Sequence, residues 1–227
     1  KAVPLKLLED YSGYLQTDGY KAYREVVSQN GLVHVGCWAH ARRKFDEANK
    51  AQGRGKKPAG RAMQGLAYIQ KLYRIERSLK EATPEARHTA RQEQAIPVLE
   101  QLRGWLDKSL TQVPPQSAVG KALNYLHEEW PRLIRYLDDG LIPIDNNLTE
   151  NAIRPFTIGR KNWLFSDSVK GIESGTNLYS LIQTAQANQI EPYQYLRHVF
   201  TELPKAGTVE AIDALLPANI DIDLIYR

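Results

Sequence analysis

The sequence predicts an α/β fold that carries a large all-helical insertion and ends in a helical tail. Three observations predict it. Within residues 1–50, two short strand-like runs alternate with segments of helical spacing. From Arg61 to Asp139, apolar residues recur every three or four positions without a strand signal. After residue 170 the same helical spacing returns.

The elements follow in order. VPLKLLED (Val3 to Asp10) reads as the last turns of a helix. YLQTD (Tyr14 to Asp18), set between Gly13 and Gly19, reads as a short strand. Tyr20 to Asn30 has helical spacing, with Tyr20, Tyr23 and Val27 on one side. Asn30-Gly31 signals a turn. Leu32 to Cys37 (LVHVGC) is a second short strand, and a helix follows from about Ala39. Such an alternation calls for parallel pairing through a right-handed crossover.

Residues 51–60 (AQGRGKKPAG) form a basic, glycine-containing linker. One helical stripe then runs through Met63, Leu66, Ile69, Leu72, Tyr73, Ile75 and Leu79. Thr83 before Pro84 is an N-cap followed by a first-turn proline. Leu99, Leu102, Leu106 and Leu110 make a second stripe, which Pro97 kinks or splits. A third holds Val119, Ala122, Leu123, Leu126, Trp130, Leu133 and Leu137. Together they predict a small antiparallel bundle. Beyond it, NWLF (Asn162 to Phe165) is strand-like. Leu178, Leu181, Ile182 and Ala185 mark one helix. Tyr195, Leu196, Val199, Phe200 and Leu203 mark another, opened by Pro192 and stopped by Pro204. The tail, Val209 to Arg227, is acidic.

Composition is ordinary for a globular chain of 227 residues, with 42% hydrophobic and 25% charged residues. A net charge of +4 is compatible with an anionic partner. One cysteine excludes an internal disulfide framework and fits a reducing compartment. There is no long apolar run for a membrane span and no signal-peptide pattern. The start at Lys1 leads us to expect a piece of a longer protein.

The stretch PIDNNLTENAIRP (Pro143 to Pro155) concentrates the chemistry. Read as a helix from Asn146 to Arg154 capped by Asp145, it places Asn146, Asn147, Glu150, Asn151 and Arg154 within an arc of roughly 140°. Leu148 and Ala152 point the other way. A carboxylate among hydrogen-bond donors stays ionised and suits Mg²⁺ or Mn²⁺. The same pattern also describes a solvated helix face with a good cap. Asp18 sits where a strand ends, the place at which open α/β sheets put ligands. An ordinary turn or N-cap aspartate is the alternative there. Two such acids can share divalent ions, as two-metal phosphoryl transfer requires.

QTDGY (Gln16 to Tyr20), GCWAHARRKF (Gly36 to Phe45), DNNLTENAIRP (Asp145 to Pro155), GRKNWLF (Gly159 to Phe165) and TAQANQIEPYQYL (Thr184 to Leu196) together resemble transposases of the IS66 insertion-sequence family. The likeness runs in order along nearly the whole chain and is weakest in the helical middle. The closing LPANI resembles that family's C-terminal module. The resemblance implies an RNase H-like core, here incomplete, and DDE-type, metal-dependent DNA cleavage and strand transfer. Asp18 would be the second acid and Glu150 the third, both holding Mg²⁺ or Mn²⁺. The first acid would lie on a strand before Lys1; Asp10, the only aspartate before Asp18, sits in the wrong element. The chain is therefore expected to be inactive alone, within a parent that catalyses. Implied domains are a core part at 1–50, the helical insertion at 51–140, a return to the core at 141–190 and the C-terminal module at 191–227. Element ends and target DNA are the implied partners, with a homo-oligomer and a bacterial cytoplasmic, nucleoid-associated setting. Two alternatives stand: an inactive DNA-binding or self-associating remnant, and an RNase H-like nuclease that cuts without joining.

Arg42, Arg43 and Lys44 follow His40, and Arg160 and Lys161 precede Trp163. Such clusters bind phosphates, or are solvated surface charge over a core tryptophan. The resemblance favours DNA contact for these and for Arg154. By its place on the helical wheel, Arg154, like Asn147 and Asn151, would orient Glu150 or touch the DNA backbone, and His40 would hydrogen-bond a catalytic carboxylate or a DNA phosphate. Cys37 and His40 have half the spacing of a zinc site, but no second pair is evident. A buried thiol and a helix-start histidine explain them as well. No phosphate-binding glycine loop and no Ser–His–Asp arrangement is present.

Overall fold

A computed structural model of the chain describes residues 5–6, 8–51, 60–159 and 168–225. Most of the expected linker, the NWLF segment, Arg160, Lys161 and Trp163 lie outside the described residues. The chain divides into two compact units, Lys1–Leu148 and Thr149–Arg227. Among the described residues it is mainly helical, with one two-stranded parallel sheet.

In the first unit, β1 (Tyr14–Gln16) pairs in parallel with β2 (Val33–Val35), in the register Tyr14↔Val33, Leu15↔His34 and Gln16↔Val35. Both strands are shorter than the sequence predicts. The chain leaves β1 through a turn at Gly19, whose φ of +83° is left-handed, so Asp18 lies in a loop beyond the strand. Helix α1 (Lys21–Asn30) makes the crossover and ends at Gly31, also left-handed, whose N–H bonds the Val27 carbonyl. Helix α2 (Trp38–Ala51) starts one residue earlier than its pattern predicts. It buries Trp38, Ala41, Phe45 and Ala48, spaced three and four apart along one face.

The helical middle consists of α3 (Arg61–Ser78), α4 (Pro84–Ala90), α5 (Ile96–Leu110) and α6 (Ala118–Leu133). Thr83 caps α4 through the Ala86 N–H, as expected, and Ser117 caps α6 through the Gly120 N–H. A π-helical turn, Arg91–Ala95, joins α4 to α5 directly ahead of Pro97. Pro97 lacks the N–H that a regular helix would aim at residue 93, which accounts for the split at this point. Helices α3 and α5 run antiparallel. Arg61, at the start of α3, donates to Ser109 near the end of α5, whereas Glu76 in the last turn of α3 pairs with Arg91 before α5 begins.

Helix α2 packs against α3 and α6, so one apolar core runs from Val35, Trp38 and Phe45 through Ile69, Leu72, Leu102, Leu106, Leu123 and Leu126 to Leu133. Gly65 admits the Phe45 ring: a Cβ built there would stand 2.7 Å from Phe45 Cε1. Among the described residues the core holds one buried cation, Arg91, only 1% exposed. It makes a bidentate pair with Glu76 at 2.9 and 2.7 Å. Its third nitrogen donates to the carbonyls of Tyr136 and Asp139 at 2.7 and 2.8 Å.

In the second unit, α7 (Asn147–Gly159), which begins two residues before the boundary, meets α8 (Val169–Ala187) through an edge-on contact of Phe156 with Tyr179. Helix α9 (Pro192–Glu202) is capped by Glu191, which accepts the Gln194 N–H, and passes into a short 3-10 turn at Leu203–Lys205. Short helices α10 (Val209–Asp213) and α11 (Ile222–Ile225) follow. Ala185, Ile190, Tyr195, Val199 and Ile225 form the unit's core. The Tyr195 hydroxyl donates to the Leu215 carbonyl at 2.9 Å.

Removing Arg91 leaves Glu76 and two backbone carbonyls without their donor. Arg91→Ala is expected to cost about 3–5 kcal/mol in urea unfolding. A loss below about 1 kcal/mol would show that the pair contributes little to the fold. Gly65→Ala, which presses a methyl into the buried Phe45 ring, is expected to cost about 1–3 kcal/mol in the same measurement.

Candidate functional site

The DNN stretch is tied to four other parts of the first unit. Ile142 and Ile144 are buried on either side of exposed Pro143, which sets the backbone against the core. The Trp38 N–H donates to the Ile144 carbonyl at 3.2 Å. The Gln16 side chain, from the end of β1, donates to the Pro143 and Gly36 carbonyls at 2.8 and 3.3 Å. The Asn146 N–H reaches the buried Cys37 sulfur at 3.5 Å.

Asp145 works with both oxygens. Oδ1 accepts the Asn147 N–H at 3.1 Å, the cap the sequence predicts, and Oδ2 accepts the Tyr73 hydroxyl at 2.8 Å. Burial, and then the Asp145 carboxylate, push the Tyr73 phenol far above its ordinary range. Tyr73 is therefore a permanent donor that fixes the cap from α3. Burial also raises the Cys37 thiol. With its sulfur occupied by the Asn146 amide, Cys37 acts here as a packing and accepting group.

Helix α7 starts at Asn147, not Asn146, and continues past Pro155 to Gly159. Pro155 costs the helix one hydrogen bond, to the Asn151 carbonyl, at exposed positions where water can replace it. Glu150 lies in the first turn, half-buried, while Asn151 and Arg154 are exposed. The apolar back of this helix is less covered than its pattern implies: Leu148 is 84% exposed and Ile153 53%. Asp18 belongs to the first unit and Glu150 to the second.

Asp18 is exposed. Its Oδ1 accepts the Tyr20 N–H at 3.0 Å, and its carbonyl accepts the Tyr125 hydroxyl at 3.4 Å. The turn around it is fixed from beneath. Thr17, 5% exposed, accepts the Gly19 N–H at 3.3 Å and meets His34 Nε2 at 2.7 Å. Glu129 of α6, only 3% exposed, packs on Gly19 and pairs with Arg24 at 2.9 Å and Arg132 at 3.1 Å. Sequence reasoning passed over Glu129, Arg24, Arg132, Tyr125 and His34 in this role. One signal was available: Glu129 stands three residues after Leu126 and four before Leu133, so an acid occupies a core position of the third stripe.

The structure brings some of the predicted site residues together. Arg42, Arg43 and Asn147 line one cleft of about 440 Å³ between α2 and α3, with Asp46, Gln70 and Tyr73. The Arg42 guanidinium stands 5.9 Å from the centre of the Tyr73 ring. Lys44 does not line this cleft; it is exposed, 3.9 Å from Glu47. His40 is partly buried on α2. Among the described residues no three His, Cys, Asp or Glu side chains gather as a metal site. No described helix is long and apolar enough to cross a membrane.

Residues 1–174 match the family described as "Transposase IS66 family", and residues 180–218 match the "IS66 C-terminal element". Three proteins of Sinorhizobium fredii, each named only as uncharacterized, are similar to the chain. The protein y4jD is 32% identical over 225 residues, covering 96% of this chain and 43% of its own length. The protein y4qI is 33% identical, covering 96% and 41%, and y4hP is 30% identical, covering 88% and 38%. The chain thus spans about two fifths of the length of these curated relatives. No solved structure matches it.

His34 gives a pH test of the turn that bears Asp18. Burial first, then Arg132 and Arg24, hold its imidazole below 6.5, with Glu129 opposing. The folded chain therefore binds this proton more weakly than the unfolded chain does. The resulting stability is complete above the unfolded value near 6.5 and is lost as pH falls toward the depressed folded value. Urea unfolding at pH 7.5 and at pH 5 should show wild type losing more stability on acidification than His34→Gln. Equal losses would mean that His34 is not held neutral by its surroundings.

Proposed function

The chain belongs to the IS66 transposase family, and we propose that it supplies Asp18 and Glu150 as two acids of a DDE-type, metal-dependent site for DNA cleavage and strand transfer. The observation that carries this reading is the family match over residues 1–174, which takes in both acids and the segments around them. The sheet β1–β2 with α1 and α2 would be part of an RNase H-like core. The domain division at 1–50, 51–140, 141–190 and 191–227 belongs to the same proposal, as does a homo-oligomeric state.

The donor set suits a hard divalent ion. One Asp18 oxygen takes the Tyr20 amide, which leaves Oδ2 of an exposed carboxylate for a cation. Glu150 stands in the first turn of a helix whose start is fixed by Asp145. Asp18 and Glu150 would hold Mg²⁺ or Mn²⁺, which when bound supplies Lewis-acid activation of the attacking oxygen and stabilisation of the leaving one. The rest of the work falls to the chain's own residues. Asp145, Tyr73 and the Thr17–Gly19 turn keep the acids from wandering, since a ligand on a fixed support loses less entropy on binding. Asn147, Asn151 and His40 would orient Glu150 or the DNA backbone. Arg42, Arg43, Lys44, Arg154, Arg160 and Lys161 would neutralise phosphates.

Mn²⁺ titration followed by electron paramagnetic resonance tests the acids. Asp18→Asn and Glu150→Gln should each weaken Mn²⁺ binding by about tenfold or more, at least the scale seen for outer-shell partners of metal sites. Mn²⁺ binding that ignores both substitutions would overturn the assignment. DNA affinity that falls steeply with salt, yet is indifferent to metal and to Glu150→Gln, would instead favour a DNA-binding chain without chemistry.

A further inference from the structure

We propose that the cleft between α2 and α3 receives one unpaired nucleotide of a DNA strand, its base stacked on Arg42 and its phosphate held by Arg43. The inference rests on the DNA reading above and adds to it which form of DNA this face takes.

Size is the first argument. At about 440 Å³ the cleft falls in the range of small-ligand sites, roughly 300–1,000 Å³, and has no room for a duplex. The lining is the second. A site for bare phosphate would gather cations and amide donors alone. Here Asp46, whose carboxylate also pairs with Lys50 at 2.6 Å, shares the wall with Arg42 and Arg43. A carboxylate repels phosphate but accepts from the exocyclic amine of a base. The side-chain amides of Gln70 and Asn147 can both donate to and accept from a base edge. The mixture suits a nucleotide, with an anionic part and a hydrogen-bonding base.

Stacking is the third argument. The Tyr73 phenol is held by Asp145 at 2.8 Å, so its ring is a fixed platform. Arg42 stands over that ring, and its guanidinium is planar and weakly hydrated. Arg42 is exposed and lines the cleft, where its plane can take a second flat group. Unpaired bases stack on arginine planes and aromatic rings in this way, with little regard to sequence. The platform sits on packed helices, so little ordering is needed when the base enters.

The test compares the intact chain's affinity, at one salt concentration, for a duplex and for the same duplex with a single-base bulge. The bulged DNA should bind about tenfold tighter. Gln70→Trp, which fills the cleft from a surface position, should abolish that preference and leave duplex affinity within about twofold. Arg42→Lys keeps the charge but removes the plane, and should abolish the preference too; it decides the matter if Gln70→Trp does not fold. A preference that survives in the folded variants, or its absence in wild type with duplex binding intact, overturns the cleft assignment alone. No binding to either DNA overturns the function proposal as well.

Discussion

Trp38 is the joint on which the first unit depends. Its side chain is completely buried. Its indole N–H donates to the Leu133 carbonyl at 2.9 Å, its backbone N–H donates to the Ile144 carbonyl, and its ring meets Trp130 edge-on at 6.2 Å. One residue therefore fixes the end of β2, the start of α2, the end of α6 and the segment leading to α7. The Gly36 N–H adds a bond to the Arg132 carbonyl at 3.0 Å. A buried indole must find an acceptor, and a helix C-terminus offers carbonyls that have lost their own donors. The two needs are met by each other, which is why the last turn of α6 docks here.

That joint couples the helical middle to both motif segments. Tyr73 reaches from α3 to Asp145, and Tyr125 and Glu129 reach from α6 to the Asp18 turn. The middle is thus more than a spacer inserted between motifs. It supplies the groups that hold the Asp18 loop and the cap of the Glu150 helix in place. A loop residue such as Asp18 has no ladder of its own, so its precision comes from Thr17, Gly19 and the α6 side chains around it.

Much of this was legible in sequence, for physical reasons that also mark where legibility ends. The 3.6-residue period of Leu72, Leu102 and Leu126 records burial on one helix face, and those faces are buried. Periodicity does not name a partner, so nothing in it joins Phe45 of α2 to Gly65 of α3. Asp145 as a cap was readable because capping is local; Tyr73 as its second partner, 72 residues away, was not. The β-branched run Leu32 to Cys37 shows strand propensity, but the ladder extends only as far as its neighbour, and β1 ends where the Gly19 turn begins. Leu148 fits the pattern of a helix back, yet pattern alone does not supply the surface that would cover it. Glu129 was hidden by the assumption that a stripe position is apolar.

The charge balance around Glu129 decides which acid near β1 is available to a cation. Glu129 carries one negative charge against the two positive charges of Arg24 and Arg132, both within 3.1 Å. The pair of guanidiniums already supplies the charge and hydrogen bonds that a buried carboxylate requires. A divalent ion placed at Glu129 would have to displace at least one of them and leave it beside a second cation. Asp18 faces no such contest. It is exposed, and among its described contacts its carboxylate accepts one backbone N–H, from Tyr20. The buried acid therefore serves the fold, and the exposed acid is the one to which the proposed metal role falls. Glu129, Arg24 and Arg132 together also place one net positive charge beneath the turn.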